Sequence, residues 1–355
     1  MVNRSKKVRL KDIARETGYS VTTVAKVLSG SAKETRISDV TAAEILATAK
    51  KLGYVPNIMA RNLRAQRSGL IGIHLATADD TIIASTMTAI LKNLPSLGYA
   101  PILTVEETSS DRCFDTWVRN DVEGILFCGP SRNLTQPLFE KLKSGNIPAV
   151  IAGNPYRSPL KALNSSVIPI VQIDNRMGIR LAIDHLKQRN RTCIAFISGP
   201  DWHSDADERR TSYEECITSL HDPIVAAIES TNLYWQRGYL SAKLIVDTYK
   251  ECDAIIAYDD NVALGAMKFL ADNGIAIPDD IAVVGFDNQP QAEYSIPSLT
   301  SINQPADEIG GQSLNLLLSI MKGSQVSSRR LLVEPTLVIR ESTGRTDLEK
   351  REKDM

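Results

Sequence analysis

The sequence predicts a two-part chain: a small all-helical head and a larger α/β body built from two parallel-sheet lobes. Three observations carry this. The first 68 residues hold 14 Lys or Arg against 5 Asp or Glu, while the rest holds 27 against 37. The head is filled by short amphipathic helical patterns. From Gly69 onward, short apolar runs alternate with amphipathic helical stretches, the signature of parallel strands covered by helices on both faces. At 355 residues the chain can bury a sizeable core across two or three domains. A basic head on an acidic body points to a polyanion partner for the head alone.

In the head, Leu10, Ile13, Ala14 and Thr17 share one helical face, and Gly18 suits a left-handed helix end. Ser20 can cap a second helix in which Val24, Val27 and Leu28 share a face. Two helices across a tight glycine-containing turn make a helix-turn-helix. Its second helix presents Val21, Thr22 and Lys26, the positions that reach base edges in the major groove, with Ser20 and Thr23 assigned to the same DNA-facing surface. Lys26 can donate to guanine, Thr22 can donate or accept, and Val21 can touch a thymine methyl. A bundle with a merely solvated face has the same pattern. A third helix, capped by Ser38, offers Ile45, Leu46, Ala49 and Leu52 to the shared core.

In the body, strands are expected at Leu70–Leu75, Ala100–Val105, Gly124–Cys128, Ala149–Ala152, Ile170–Ile173, Cys193–Ser198, Ala254–Ala257 and Ile281–Gly285. Helices such as Ile83–Leu97 and Arg176–Gln188 lie between them. Two such units form the two-lobed architecture of periplasmic-type binding proteins, with ligands beyond the carboxyl ends of the strands. Asp287 and Asp259 each end a buried apolar run, where a carboxylate can accept hydroxyl hydrogen bonds or cap the next helix. His203 and Trp235 are placed at the same mouth, Trp235 to stack on a sugar face. Arg209 either faces a ligand or pairs with Asp207 or Glu208 nearby.

The stretches "LKDIA", "TGYSVTTVAKVLSG" and "ILATAKKLGYVPNIMARNLR" together resemble the head of the lac-repressor family of bacterial transcription regulators. "VEGILFCGPS", "VQIDNRMGIRLAIDHL", "DDNVALGAMKFLADNGIAIPDDIAVVGFDN" and "PSLTSINQP" resemble its effector domain. The resemblance implies a helix-turn-helix DNA-binding domain at 1–54, a hinge helix at 55–68, an effector and dimerisation domain at 69–343, and a charged tail at 344–355. It places the first lobe at about 69–171 and 300–326 and the second at about 172–298 and 327–343. The hinge helix would form on operator DNA, with Leu63 wedged between base pairs, Ala60 permitting close approach, and Asn57, Arg61 and Arg64 on phosphates or the minor groove. Arg209 matches the family arginine that grips the effector. The sequence departs from the family at Tyr19 in the turn, in a longer loop at 31–36, and in "ATADDTIIAST", where Ile82 and Ile83 replace an aromatic pair. Gly153 also stands where an acidic residue is common.

The expected function is therefore a cytoplasmic, nucleoid-associated transcription regulator, a repressor acting as a homodimer on a pseudo-palindromic operator. Its effector is a sugar or related metabolite, touched by Arg209, Asp287, Asp259, Trp235, His203 and Ile83. No metal or cofactor is expected. The five cysteines form no C-x-x-C pair and read as reduced thiols. The tail lacks leucine heptads, which predicts a dimer rather than a tetramer. A plain solute-binding protein is disfavoured by the basic head and by an N-terminus without a secretory pattern. A sugar hydrolase using Asp259 and Asp287 lacks any supporting nucleophile–base, phosphate-loop or metal spacing.

Overall fold

The computed structural model describes residues 8–28, 37–54, 67–77, 79–155, 168–228, 233–325 and 328–344. The chain divides into a unit at Met1–Ser68 and a unit at Gly69–Met355.

In the first unit, helices α1 (Leu10–Thr17), α2 (Val21–Leu28) and α3 (Asp39–Lys51) pack around Ile13, Ala14, Val24, Val27, Ile45 and Ala49. Gly18 ends α1 at φ 75° and turns the chain into α2. Ser20 Oγ accepts from the Thr23 amide at 3.0 Å, so the predicted cap starts α2. Ser38 does the same for α3 through the Thr41 amide at 3.2 Å. Leu46, expected in the core, is instead 52% exposed. Ile45 and Ala49, one turn apart, fill that face, and Leu46 falls about 100° round the helix from Ile45. Tyr19 packs against the core and its hydroxyl donates to Glu44 at 3.0 Å, tying the turn to α3.

The second unit has two six-stranded sheets among its described residues. The first runs in the order β11-β5-β4-β3-β1-β2, with β1 at Leu70–Leu75, β2 at Ala100–Val105, β3 at Gly124–Cys128, β4 at Ala149–Ala152, β5 at Ile170–Ile173 and β11 at Arg330–Val333. The second runs β12-β10-β9-β8-β6-β7, with β6 at Ile194–Ile197, β7 at Ile224–Ala226, β8 at Ala254–Ala257, β9 at Ala282–Asp287, β10 at Thr300–Asn303 and β12 at Thr336–Val338. Every pairing is parallel except β10 with β12. The helices that position the site are α4 (Thr81–Asn93), α5 (Ser110–Arg119), α6 (Gln136–Ser144), α7 (Asn175–Gln188), α8 (Ser204–Ile217), α9 (Tyr234–Thr248), α10 (Asp260–Asp272), α11 (Pro290–Tyr294) and α12 (Ala306–Met321).

The lobe crossings differ from the sequence expectation. The chain leaves the first sheet after β5, at residue 174, rather than near 172. It returns after β10, at 304–305 rather than 299, and crosses again between β11 and β12, at 334–335 rather than 327. Thus 300–303 belongs to the second lobe: β10 pairs with β9 and buries Ile302. Likewise 330–333 belongs to the first, where it pairs with β5. These strands, with β7 and β12, were missing from the sequence reading. Each is three or four residues long, too short for a periodic signal.

One helix pair is unusually close. A Cβ on Gly238 would meet the Val262 carbonyl oxygen at 1.9 Å, and one on Gly265 would meet the Trp235 carbonyl oxygen at 2.0 Å. Reciprocal glycines thus let α9 and α10 touch backbone to backbone. The five cysteines are unpaired, and Cys113, Cys128 and Cys252 are buried. Among the described residues, no helix is long and apolar enough to cross a membrane.

Candidate functional site

The head offers a reading surface on α2. Val21, at 46% exposure, Thr22 and Lys26 are all exposed, while Val24 and Val27 on the opposite face are buried. Ser20 and Thr23 are engaged with each other, their hydroxyl oxygens 2.8 Å apart, so their first task is to hold the start of the helix. The predicted minor-groove residues Asn57, Ala60, Arg61, Leu63 and Arg64 lie outside the described residues, as do the loop at 31–36 and the tail beyond 344.

In the second unit, the carboxyl ends of both sheets face one cleft. Asp287 ends β9 with φ 101°, a conformation that side chains other than glycine rarely adopt. Gln304, at the crossing after β10, donates to its carboxylate. Arg209 projects from α8 and is 1% exposed. Its Nε donates to Asn175 Oδ1 at 2.8 Å, one Nη to the Tyr258 carbonyl at 2.6 Å, and the other to Asp287 at 3.4 Å. The guanidinium lies 3.6 Å from the Phe286 ring centroid. Arg209 is therefore consumed by the protein itself. It organises the cleft floor and orients Asp287, and pairs with neither Asp207 nor Glu208.

Asp259 follows β8 and caps α10, accepting from the Val262 amide at 2.7 Å. Burial and the nearby charge of Asp287 push its pKa up to about 7. Burial likewise pushes Asp287 up to about 6, against the pull of Arg209. His203 sits just before α8, with Nδ1 3.0 Å from the Tyr258 hydroxyl and 3.5 Å from Asp205. Burial lowers its pKa, so the ring is neutral near pH 7.

Two expected ligand contacts stand elsewhere. Trp235 is 61% exposed and donates to Asn261 at 2.8 Å, lining an outer groove with Tyr239, Leu264 and Lys268. Its backbone crosses Gly265, which fixes the indole on the α9–α10 surface. Ile83 is 8% exposed and packs into the first lobe, where it would leave no room for a Cβ on Gly129. Its aliphatic chain fills a core position instead of a stacking platform.

The structure adds residues that the sequence reading missed. Asn154, beside Gly153, reaches across the cleft to Asp205 on α8. Ser204 donates to the Pro155 carbonyl at 2.6 Å, and Glu208 accepts from Asn175 and, from the first lobe, Gln172 and Arg330. The run "SDADER" at the start of α8 is thus the seam between the lobes. The charge density of "SDADER" was visible in sequence, but its partners lie 30 or more residues away in the chain.

A helix-turn-helix head followed by a two-lobed binding-protein body defines a DNA-binding regulator with a ligand-type cleft. The model of the family described as "Bacterial regulatory proteins, lacI family" matches residues 9–57, and that of the "Periplasmic binding protein-like domain" matches 183–343. The ribose operon repressor of Halalkalibacterium halodurans is 28% identical over 94% of this chain and 96% of its own length. The lac repressor dimer bound to operator and the anti-inducer ONPF shares the fold with a TM-score of 0.74, at 22% identity, over 96% of this chain and all of that one. The transcriptional regulator CelR–cellobiose complex aligns with a TM-score of 0.65 at 25% identity, over 95% of this chain and all of that one. Residues 9–57 are thus a lacI-type regulatory head, and residues 183–343 a periplasmic binding protein-like domain. The protein is a transcriptional regulator with a DNA-binding head.

Proposed function

We propose that the protein is a cytoplasmic, nucleoid-bound repressor that binds a pseudo-palindromic operator as a homodimer and responds to a small molecule in the cleft. The observation that carries this reading is the exposed trio Val21, Thr22 and Lys26 on one face of α2, opposite a buried Val24–Val27 face. One such head reads a half-site, so a full operator takes two. Leu63, with Asn57, Ala60, Arg61 and Arg64, adds the minor-groove contact at the operator centre. Domain bounds near 54, 68 and 343 accompany this reading.

Regulation follows from differential affinity. An effector that prefers one lobe arrangement shifts the population of the DNA-binding form. A hundred-fold change in operator affinity needs about 2.7 kcal/mol of difference. Arg209 and Asp287 form the floor beneath the effector, and Asp259 and His203 its sides. The relatives include a ribose operon repressor and a regulator in complex with cellobiose, which supports a polar, hydroxyl-bearing effector.

The test is selection of sheared genomic DNA by the purified protein, followed by sequencing. A pseudo-palindrome with a flexible pyrimidine–purine centre is the expected result. Lys26→Ala should weaken binding to the recovered site by about 1–3 kcal/mol and relax specificity at one base pair per half-site. Recovery of random DNA only, with strong salt dependence, would reduce the head to a non-specific polyanion binder.

A further inference from the structure

The cleft is rich in carboxyl groups and in hydrogen-bond acceptors. Asp205, Asp259 and Asp287 face it from the second lobe, held by Asn154, the Val262 amide and Arg209, and Asp80 caps α4 of the first lobe, accepting from the Ile82 and Ile83 amides at 2.8 and 2.9 Å. Asp260 lies just behind, holding Ser301 at 2.6 Å and the Gln289 amide at 2.6 Å. Against these carboxylates stand Arg209 and, beside Tyr234, Arg237. Arg209 is committed to Asn175, Tyr258 and Asp287. His203 adds no positive charge, since burial keeps it neutral.

A second observation points to a ligand rather than to a self-contained acidic cluster. Asn154 is 5% exposed and spends its amide N–H on Asp205, while its Oδ1 has no hydrogen-bond partner among the described residues. A buried acceptor without a donor costs about 1–3 kcal/mol. Its place at the lobe seam makes it one more acceptor awaiting a donor. Among the described residues, no group of acidic, histidine or cysteine side chains is arranged to hold a metal ion. An organic cation that brings its own N–H and O–H groups would meet both these carboxyl groups and the open Asn154 acceptor.

We propose that the cleft takes a small organic cation, a protonated amine on a hydroxylated frame, with the ammonium between Asp259 and Asp287 of the second lobe and Asp80 of the first. Hydroxyls of the frame donate to Asn154 Oδ1 and the remaining carboxylate oxygens. This rests on the reading of the cleft as an effector site and narrows its chemistry. Arg209 argues against an anionic ligand, because each of its nitrogens already donates within the protein. With the seam joined through Asn154–Asp205 and Ser204–Pro155, entry requires the lobes to part. A bound ammonium also favours the ionised carboxylates, so binding expels protons.

The experiment is calorimetry and thermal shift on the full chain with matched probes: glucosamine against glucose, galactosamine against galactose, and glucuronate as the anion. At least one amine should bind tenfold or more tightly than its neutral partner. Its heat should depend on the buffer's ionisation enthalpy in the sense of proton release. Asp259→Asn should cut that preference about tenfold while keeping the α10 cap, and Asp80→Asn provides a second test should the first variant fold poorly. Equal or tighter binding of glucose, galactose or glucuronate overturns the cation assignment and leaves the effector reading standing. No response to any probe, in melting or in binding to the selected DNA, overturns both.

Discussion

At the residue scale, the cleft depends on charges held out of water. Arg209 is a fully buried guanidinium whose bonds satisfy Asn175, Tyr258 and Asp287. Arg209→Met keeps much of the volume but leaves Asp287 without its counter-charge. A loss of about 3–5 kcal/mol is expected, measured as the shift in urea midpoint. Asp259 gives the opposite sign. Its raised pKa, about 7 against an ordinary carboxylate value near 4 in the unfolded chain, means the native state holds the proton more tightly. The stability this contributes is present at low pH and is lost as pH rises from about 4 through about 7. Asp259→Asn cannot ionise and still caps α10, so it should gain more over the parent at pH 8 than at pH 5. Each unit of raised pKa is worth about 1.4 kcal/mol. Equal gains at both pH values would sink this account.

At the element scale, backbone proximity decides. A glycine inside a helix ordinarily costs about 1 kcal/mol relative to alanine, so Gly265→Ala on an isolated α10 would stabilise it. In the folded chain the added methyl meets the Trp235 carbonyl oxygen, which cannot move without displacing α9. The expected outcome is a loss of about 1–3 kcal/mol, read by thermal melting. A gain would mean that the two helices slide apart freely. The short strands at Thr300–Asn303 and Arg330–Val333 teach a related lesson. The sequence reading placed the first in one lobe and the second in the other, and both assignments were reversed. Which sheet a four-residue strand joins is set by its hydrogen-bonding neighbour, β9 for one and β5 for the other. Local pattern carries no information about that choice.

At the scale of the whole molecule, the second unit is a pair of similar sheets sewn together along α8. The polar ties are Asn154 to Asp205, Ser204 to Pro155, and Glu208 to Gln172 and Arg330, beside a buried apolar cluster that holds residues of both lobes. Polar ties at a seam are exchanged for water at small net cost, which suits lobes that open and close. Arg330 is half-exposed, so its pair with Glu208 contributes about 0–1 kcal/mol. Arg330→Ala should therefore leave the melting temperature nearly unchanged yet speed lobe exchange, measured by relaxation dispersion. A marked drop in melting temperature would show the pair to be structural instead.

The sequence by itself determined the kinds of element and most of their positions, because helical and strand periodicity, caps and glycine turns are local. It placed Ser20, Ser38 and Gly18 at their helix ends and eight body strands within two residues of where they lie. It singled out Asp287 and Asp259 because residues after buried apolar runs end at the carboxyl edge of a sheet, and Arg209 through the family resemblance, and the fold brings these together with His203. Only the tertiary structure decided what those residues touch. It turned Trp235 outward onto α10, sank Ile83 into a core, spent Arg209 on the protein's own groups, and set Asn154 opposite Asp205. Each of these depends on neighbours far apart in the chain, and packing and charge compensation are settled only when those neighbours meet.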